Sequence, residues 1–430
     1  MPRTLMILDP GHFHAALPLR SMSPRLAPEV HVFAPEGPEL ERFLAMVERF
    51  NTRAHEPTAW KLNVRRCADP LAALLSERPG DVAVLAGRNC GKLARIAALV
   101  RAGVHVLADK PWVVEATDIA HVHAIAGEPA HYADLMTERF EPLAVLFADL
   151  AQQPALVGDA DTSRGPVIVK ETVHHLAKLV DGAPLVRPPW YFDVTQQGEG
   201  LTDVTTHYVD QVLLIAQAAQ QPLTPGEVRL VRAQRWTTAV PAEDYTAITG
   251  TPAFPSAVTG AVRDGVLHLA ANGELEFTCR GLSARIRAEW RLRAADAAGD
   301  FHRARFHGTR ADLELDGSAS AGSRLRIRPR GDAAALRAAL TAWAAGHPGV
   351  MLEDEPDAVT VRPARISGHE EHFAAVLDHF LVQIDHGPQP AWERAALNER
   401  YRLLAEAKVR AVGYSRSDGL ERSHTRGDMP

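Results

Sequence analysis

Short apolar segments alternate with helix-period segments through the first third of the chain. The apolar segments are "TLMILD" (Thr4–Asp9), "EVHVFAPEG" (Glu29–Gly37), "GDVAVLAGRN" (Gly80–Asn89) and "VHVLADKP" (Val104–Pro111). Between the last two, "GKLARIAALVRAG" has apolar residues at helix spacing and ends in a glycine that can stop a helix. Strands without polar alternation are typical of a parallel sheet that is buried on both faces. Right-handed crossovers between them predict a doubly wound α/β domain over residues 1–140.

The rest of the chain mixes helices with strands of alternating polarity. "GPVIVKE" is strand-like, "DVTTHYVDQVLLIAQAAQ" is helical, and several alternating segments follow one another from about Glu227 to Arg328. This alternation predicts a largely antiparallel sheet with one open face. Two helical segments come after it, "EEHFAAVLDHFLVQI" and "ERAALNERYRLLAEAKVRAV". We therefore predict a second, α+β domain over residues 141–413 and a loose, flexible tail over residues 414–430.

Charge and cysteine content exclude several classes of protein. A net charge of −6 argues against a nucleic-acid partner or an anionic membrane surface. No apolar run is long enough to span a bilayer and no secretory signal precedes the first strand, so a cytoplasmic location is expected. Cys67, Cys90 and Cys279 are far apart, which predicts free thiols and no Cys-x-x-Cys pair. His369 and His372 in "GHEEHF" are three residues apart rather than four, and no metal site is expected here or elsewhere.

The segment "LDPGHFH" (Leu8–His14) directly follows the first strand, where a dinucleotide-binding domain has its G-x-G-x-x-G phosphate loop. Asp9 stands at the first glycine position, Gly11 at the second and His14 at the third. Aspartate tolerates the unusual φ of such a turn, and a glycine at the second position allows close approach of a diphosphate. From these residues alone, a nucleotide site and a purely structural turn both remain open.

A more specific pattern lies in "VLADKPW" (Val106–Trp112), where an acid-Lys-Pro sequence ends a strand. It resembles the Glu-Lys-Pro hallmark of the glucose–fructose oxidoreductase, inositol dehydrogenase and MocA family, with Asp109 in place of the glutamate. Upstream, Asn89 matches the asparagine of the family's Pro-Asn pair, and Arg88 replaces the proline. Downstream, "TERFEP" (Thr137–Pro142) resembles the Arg-Phe-x-Pro segment that starts the family's second domain.

The strongest resemblance is in "GEGLTDVTTHYVD" (Gly198–Asp210), which is similar to the family's glycine-rich stretch followed by D-x-x-x-H-x-x-D. Asp203, His207 and Asp210 are spaced i, i+4 and i+7, which places them on one face of a helix. The motifs run in the family's order from residue 4 to about residue 315. The resemblance implies an N-terminal Rossmann domain, a C-terminal α+β domain with an open, mainly antiparallel sheet, and a homodimer or homotetramer.

The resemblance also implies an activity, that of an NAD(P)-dependent oxidoreductase acting on a hydroxyl of a sugar, polyol or glycoside. The family's catalytic Lys, Asp and His correspond to Lys110, Asp203 and His207. A neutral imidazole suits a general base near pH 7, so we expect His207 to take the hydroxyl proton. Lys110 would stabilise developing alkoxide charge, and Asp203 would orient the substrate or the imidazole. A cis bond before Pro111 is implied, whereas Asp210 is expected to be structural.

Further contacts are expected for the cofactor and the substrate. NAD is expected rather than NADP, because no arginine directly follows Glu36, the acid nearest to the ribose-binding position. The expected cofactor contacts are Asp9, Gly11, His12, Phe13, His14, Glu36, Gly87, Asn89, Asp109, Lys110 and Pro111. The expected substrate contacts combine hydrogen-bonding and stacking groups: Arg139, Lys170, His174, Trp190, Tyr191 and Asp193.

Other functions remain open at this stage. The altered phosphate loop suggests a divergent branch, whose members can oxidise and re-reduce a sugar with one retained NAD and so cleave a glycoside without net redox change. A non-catalytic sugar or dinucleotide sensor is the alternative from another class, and the joint presence of Lys110, Asp203 and His207 speaks against it. A third alternative is a structural subunit of a larger complex.

Overall fold

Six parallel strands form the centre of the N-terminal part in the computed structural model, which describes residues 2–180, 183–294, 300–318 and 322–413. The strands are β1 (Arg3–Leu8), β2 (Leu26–Ala34), β3 (Lys61–Arg66), β4 (Val82–Leu85), β5 (His105–Ala108) and β6 (Tyr132–Asp134). They are arranged in the order β3-β2-β1-β4-β5-β6, with every neighbouring pair parallel. This is the doubly wound arrangement that the apolar runs predict.

Four helices connect these strands, and their apolar positions face the sheet. They are α1 (Pro38–Thr52), α2 (Pro70–Glu77), α3 (Lys92–Arg101) and α4 (Ile119–Ile125). In α3, the helix-spaced residues Leu93, Ile96 and Val100 are all buried. Gly103 follows with φ +78°, a left-handed conformation that ends the helix before β5.

The C-terminal part is built on an eleven-stranded sheet. Its strands and a small separate pair are β7 (Ile168–His175), β8 (Leu179–Val180), β9 (Ala183–Pro184), β10 (Val228–Pro241), β11 (Val262–Arg263), β12 (Val266–Cys279), β13 (Leu282–Arg291), β14 (Phe301–His307), β15 (Ala311–Ser318), β16 (Arg324–Pro329), β17 (Met351–Asp354), β18 (Val359–Arg362) and β19 (Val412–Gly413). The order is β17-β18-β16-β15-β14-β7-β13-β12-β10-β19, β11 pairs with β12, and β8 pairs with β9 outside this sheet. Within this second sheet, the described strand pairs are antiparallel except for β7 with β13 and β10 with β19. This confirms the mainly antiparallel sheet.

Helices cover one face of this sheet, and ion pairs lie on the other face. The helices of the C-terminal part are α5 (Pro142–Ala151), α6 (Pro154–Val157), α7 (Val194–Gln197), α8 (Thr205–Ala216), α9 (Ala242–Thr249), α10 (Ala333–Ala345), α11 (Glu371–His386) and α12 (Ala391–Arg410). Apolar residues of α5 and α8 join the core under the sheet. The opposite side of β14–β16 carries cross-strand ion pairs, such as Arg303 with Asp316 and Arg328 with Glu314. Polar alternation in the sequence therefore corresponds to an open, charged face.

One crossover of the parallel sheet lacks an α-helix of its own. Between β1 and β2 the chain forms only two short 3₁₀ turns, Phe13–Ala15 and Leu17–Arg20. The apolar side chains beneath them are covered by α11, whose buried residues, including Phe373, Leu377 and Phe380, join the same core cluster as Leu5 and Ile7. A helix from the predicted second domain, 141–413, thus completes the first domain.

A buried ion network joins the two parts. The Arg400 guanidinium on α12 contacts the carboxylates of Asp134 at the end of β6 and Asp210 on α8. All three side chains are at most 2% exposed. Arg139 makes a second, bidentate pair with Asp210 at 2.7 Å for both bonds. Asp210 therefore has the structural position that we expect for it.

Two further sequence expectations bear on the whole chain. Within the described ranges, every helix is too short or too polar to cross a lipid bilayer. Cys67, Cys90 and Cys279 are free thiols. The predicted tail, 414–430, lies outside the described residues.

Replacing Arg400 by Met should destabilise the protein by about 3–5 kcal/mol, because two buried carboxylates lose their cation. The midpoint of urea unfolding measures the change. Arg410→Met is the matched control, since Arg410 is half exposed and its pair with Glu406 on the same helix should contribute less than about 1 kcal/mol. Equal shifts for the two variants would contradict a joining role for Arg400.

Candidate active site

A cavity of about 710 Å³ lies between the two parts, at the carboxyl ends of β1, β4 and β5. This edge is where open α/β sheets bind ligands. The N-terminal part contributes the loops that follow these strands, and the C-terminal part contributes α8, β7, β13 and the segment before α11. Many of the site residues that we expect from the sequence line this cavity. They are His12, Phe13, His14, Gly87, Asn89, Asp109, Lys110, His174, Tyr191, Asp203 and His207.

Lys110 and Asp203 form an ion pair across the cavity. The Lys110 Nζ atom lies 2.5 Å from Asp203 Oδ1, and both side chains are about nine-tenths buried. Lys110 is held by β5 and by the cis peptide bond to Pro111, as expected from the resemblance. Asp203 lies in the turn that leads into α8. The pair therefore links the loop after β5 to the start of α8.

Asn89 anchors the neighbouring loop to the C-terminal part. Its side-chain amide donates to the Gln197 carbonyl oxygen at 2.7 Å, and its carboxamide oxygen accepts from Lys92. Gln197 in turn approaches Asp203, with Nε2 3.5 Å from Oδ2. Asn89 is thereby connected through Gln197 to the Asp203 end of the ion pair.

His207, on the first turn of α8, is partly exposed, but its Nδ1 atom is buried and has no hydrogen-bond partner among the described residues. Burial and the nearby Lys110 cation hold the pKa of His207 well below its ordinary value. The imidazole is therefore neutral near pH 7 and can accept a proton from a ligand. The i, i+4 spacing brings Asp203 and His207 to one cavity, whereas Asp210 points into the ion network.

The loop after β1 adopts the tight turn that the sequence predicts. Asp9 has φ +48°, so aspartate takes the left-handed conformation at the first glycine position. The amides of Gly11 and His12 both donate to the Ala86 carbonyl oxygen, at 3.1 and 3.0 Å. A Cβ atom at Gly11 would lie 3.2 Å from the Cα atom of Gly87. Glycine at position 11 thus permits a close approach of this loop to the loop after β4.

Two histidines of this loop face the acid that ends β5. His14 Nδ1 lies 2.9 Å and His12 Nδ1 3.6 Å from Asp109 Oδ2. The two imidazole rings are in edge contact, with centroids 4.1 Å apart. The backbone amides of Phe13 and His14 have no acceptor among the described residues, so they remain able to bind a ligand.

Aromatic and hydrogen-bonding groups form the wall of the cavity that the C-terminal part contributes. Tyr191 lines it next to Trp290, and the Arg187 guanidinium stacks on both rings at 4.4 and 5.2 Å. His174 accepts or donates hydrogen bonds at both ring nitrogens, with Thr172 and Asp300 as partners. Burial raises the pKa of Tyr191 to about 12, so its phenol is a hydrogen-bond donor at neutral pH.

Several expected contacts lie behind the cavity wall or away from it. Lys170 is buried and donates to Gln211, and burial lowers its pKa to about 8. Asp193 caps α7 by accepting from Thr195. Three further residues have other neighbours: Arg139 is in the ion network, Trp190 packs near Arg88, and Asp9 pairs with Arg95. Glu36 is exposed after β2.

The structure adds cavity residues that sequence reasoning misses. They are Glu138, Thr172, Arg187, Tyr208, Trp290, Asp300, His302 and His369. Glu138 lies within "TERFEP" and could have been selected from that segment. Burial and the Glu141 carboxylate raise its pKa to about 7. Tyr208 directly follows His207 on α8, and Arg187 lies in the loop after β9. The others come from the sheet, from its flank at Asp300 and from the segment before α11, and no spacing in the sequence connects them with the cavity.

A second cavity of about 710 Å³ continues past the loop after β1. It shares His12, Phe13, Arg187 and Tyr191 with the first cavity, so the two meet at these residues. Its outer wall is one face of α1 together with the second 3₁₀ turn. Besides the shared Arg187, four arginines line it, Arg20, Arg42, Arg49 and Arg53, against the two acids Glu39 and Glu370. The combined cleft is therefore long, with one cationic end.

Comparisons with known proteins give a consistent result. The family model described as "Putative oxidoreductase C terminal domain" matches residues 146–412. A crystal structure of a "putative oxidoreductase" from Parabacteroides merdae ATCC 43184 is 35% identical with a TM-score of 0.89, covering 95% of this chain and 97% of that one. No curated protein matches the chain.

Two more distant structures share the fold. The 3-ketoreductase from Actinomadura kijaniata, solved with NADP and TDP-benzene, is 13% identical with a TM-score of 0.58, covering 96% of this chain and 100% of that one. Levoglucosan dehydrogenase, solved with NADH and levoglucosan, is 15% identical with a TM-score of 0.59, covering 95% and 96%.

His207 should stay neutral well below pH 6.5, the ordinary midpoint of a histidine. Burial disfavours its cation first, Lys110 and His369 add like charge, and the carboxylates of Asp109 and Asp210 oppose the shift only in part. Nuclear magnetic resonance of ¹⁵N-histidine-labelled protein between pH 4.5 and 8 would measure the midpoint, with His207→Gln identifying the signal. A midpoint at or above about 6.5 would show that the imidazole is not held neutral.

Proposed function

Because the chain belongs to the oxidoreductases of the glucose–fructose oxidoreductase, inositol dehydrogenase and MocA type, we propose that it transfers hydride between a nicotinamide dinucleotide and a sugar-like substrate. The reacting group is a carbon that bears a hydroxyl, in a sugar, polyol or glycoside. The observation that carries the proposal is the presence of Lys110, Asp203 and His207 in one cavity at the carboxyl ends of the parallel strands.

The two joined cavities fit a dinucleotide. Gly87, Asn89 and Lys110 would hold the nicotinamide end in the first cavity, and the free amides of Phe13 and His14 would hold the diphosphate where the cavities meet. The amides of Gly11 and His12 are bonded to Ala86, so the usual diphosphate contact of this loop is displaced by a few residues toward His14. The bound nicotinamide would accept or return the hydride.

The chain's own residues would handle the proton and the charge. Neutral His207 takes the proton of the substrate hydroxyl as its carbon loses hydride. Lys110 stabilises the negative charge that develops on that oxygen. Asp203 holds the Lys110 ammonium in place through the 2.5 Å contact, so its role is to position the cation rather than the imidazole.

The cavity walls favour a polyhydroxylated substrate. Tyr191 and Trp290 offer aromatic faces on which a pyranose can stack, and His174, Thr172 and Asp300 can exchange hydrogen bonds with hydroxyls. The distant fold relatives are a 3-ketoreductase and a levoglucosan dehydrogenase, which supports a sugar-like substrate. The homodimer or homotetramer and the cytoplasmic location stay predictions, and light scattering tests the first.

The cationic end of the cleft bears on the choice of cofactor. Arg42 and Arg49 are exposed on α1 and make no ion pair with the described residues. Their charge favours the extra phosphate of NADP, although the sequence alone predicts NAD. The proposal is therefore that the chain accepts both dinucleotides.

A stoichiometric dinucleotide released on denaturing the purified protein would favour the redox-neutral alternative, in which one cofactor is retained.

His207→Gln should lower kcat for sugar oxidation by about 10²–10⁴-fold, because the general base is lost while the side-chain volume is largely kept. Lys110→Met should lower it by about 10²–10³-fold. Steady-state rates on a panel of sugars and glycosides with NAD and NADP measure both effects. His123→Gln, on the exposed side of α4, is the matched control. Dinucleotide binding without turnover on any sugar, glycoside or ketosugar would favour the sensor alternative.

The double variant Arg42→Ala, Arg49→Ala should weaken NADPH binding by about tenfold and leave NADH binding within about threefold. Isothermal titration calorimetry at one ionic strength measures both constants. Equal weakening of NADH and NADPH would show that the arginines do not discriminate the 2′-phosphate, and no change would remove the second cavity from the cofactor site.

A further inference from the structure

Three metal-ligating side chains meet in the cleft without a role in the proposed hydride transfer. His12 and His14 come from the loop after β1, and Asp109 ends β5. One ligand atom of each lies within 4.8 Å of those of the other two. His14 Nδ1 lies 2.9 Å and His12 Nδ1 3.6 Å from the same Asp109 Oδ2 atom. Two ligand atoms of a tetrahedral zinc site are roughly 3.4 Å apart, and this distance lies between the two observed ones.

The arrangement exceeds what an ordinary hydrogen-bonded pair requires. His14 alone can satisfy Asp109 Oδ2, yet His12 also directs its Nδ1 toward that oxygen. The His12 Nδ1 atom is buried and has no hydrogen-bond partner among the described residues. A buried polar atom without a partner destabilises a fold, so an atom in this state calls for an unobserved ligand or a function.

The charges around Asp109 leave its carboxylate able to bind a cation. Lys110 pairs with Asp203, and Lys92 donates to Asn89 and to the Asp109 backbone carbonyl at 2.7 Å. Both lysines therefore have other partners, and the contacts of the Asp109 carboxylate in the described structure are the two histidines.

We propose that His12, His14 and Asp109 bind a divalent first-row transition-metal ion. Two imidazoles and one carboxylate are a recurrent donor set for zinc and for iron(II) sites that keep open coordination positions. All three residues line the main cavity, so the open positions would face the ligand that lies beside Lys110. The proposal that the ion binds does not depend on the proposed function. A role of the ion in polarising a substrate oxygen would rest on that function.

The site also gives a reason for the altered phosphate loop. Position 14 carries an imidazole where a dinucleotide loop has its third glycine, and position 12 adds a second imidazole. Asp109 is one methylene shorter than the glutamate of the resembled family. A shorter acid at the end of β5 leaves room for two imidazole rings, whose centroids are 4.1 Å apart.

The test is a titration of the untagged, full-length protein with Co²⁺ after treatment with a chelator. Calorimetry gives stoichiometry and affinity, and visible absorption reports nitrogen and oxygen ligation of the ion. One equivalent should bind, and His12→Gln, His14→Gln and Asp109→Asn should each abolish stoichiometric binding. His386→Gln, which removes an exposed histidine of α11, should bind Co²⁺ like the unmodified protein. Elemental analysis of protein purified without chelator should find one equivalent of the ion in the unmodified chain and in His386→Gln, and none in the three ligand variants.

If a histidine variant fails to fold, Asp109→Asn still tests the metal site, because asparagine can keep the hydrogen bond with His14 while it removes the negative charge. Circular dichroism and the midpoint of urea unfolding verify that each variant is folded. Failure to bind Co²⁺, or binding that Asp109→Asn leaves intact, would overturn the metal site while dinucleotide binding stands. Loss of dinucleotide binding and turnover with intact Co²⁺ binding would instead overturn the proposed function alone.

Discussion

The buried Arg400 guanidinium is the interaction on which the rest of the structure depends. It contacts Asp134 at the end of β6 and Asp210 on α8, so one side chain of α12 fixes the parallel sheet against the helix that carries His207. Because α8 is fixed in this way, Asp203 reaches Lys110 at the end of β5. The cavity is thus a consequence of how two separately recognisable parts are joined, and neither part contains a complete site.

The loop after β1 shows how a conserved shape can serve a changed chemistry. Asp9 takes the left-handed conformation that a glycine would take, and Gly11 packs closely on Gly87. The turn therefore keeps its geometry while its first amides bond to Ala86 and its later positions present His12 and His14 to the cleft. A diphosphate-binding turn and a histidine-bearing turn can share one backbone path, because the backbone is set by packing rather than by the ligand.

Much of the fold could be predicted from sequence, since β4 and β5 are apolar runs between helical segments and β12–β16 alternate in polarity. The edge strand β3 alternates charged and apolar residues, and β6 has only three residues, so neither gives an apolar run. The grouping of Lys110, Asp203 and His207 was predictable from spacing and resemblance. The positions of Lys170 and Asp193 were not, because a polar residue type does not reveal whether its partner is Gln211, a helix end or a ligand.

The position of α11 has a consequence for biosynthesis. The apolar face beneath the short 3₁₀ turns between β1 and β2 is covered by α11, residues 371–386. On the ribosome, that face stays open until α11 has been synthesised, long after β1 and β2. The N-terminal part therefore cannot bury its whole core as an independent, vectorial folding unit.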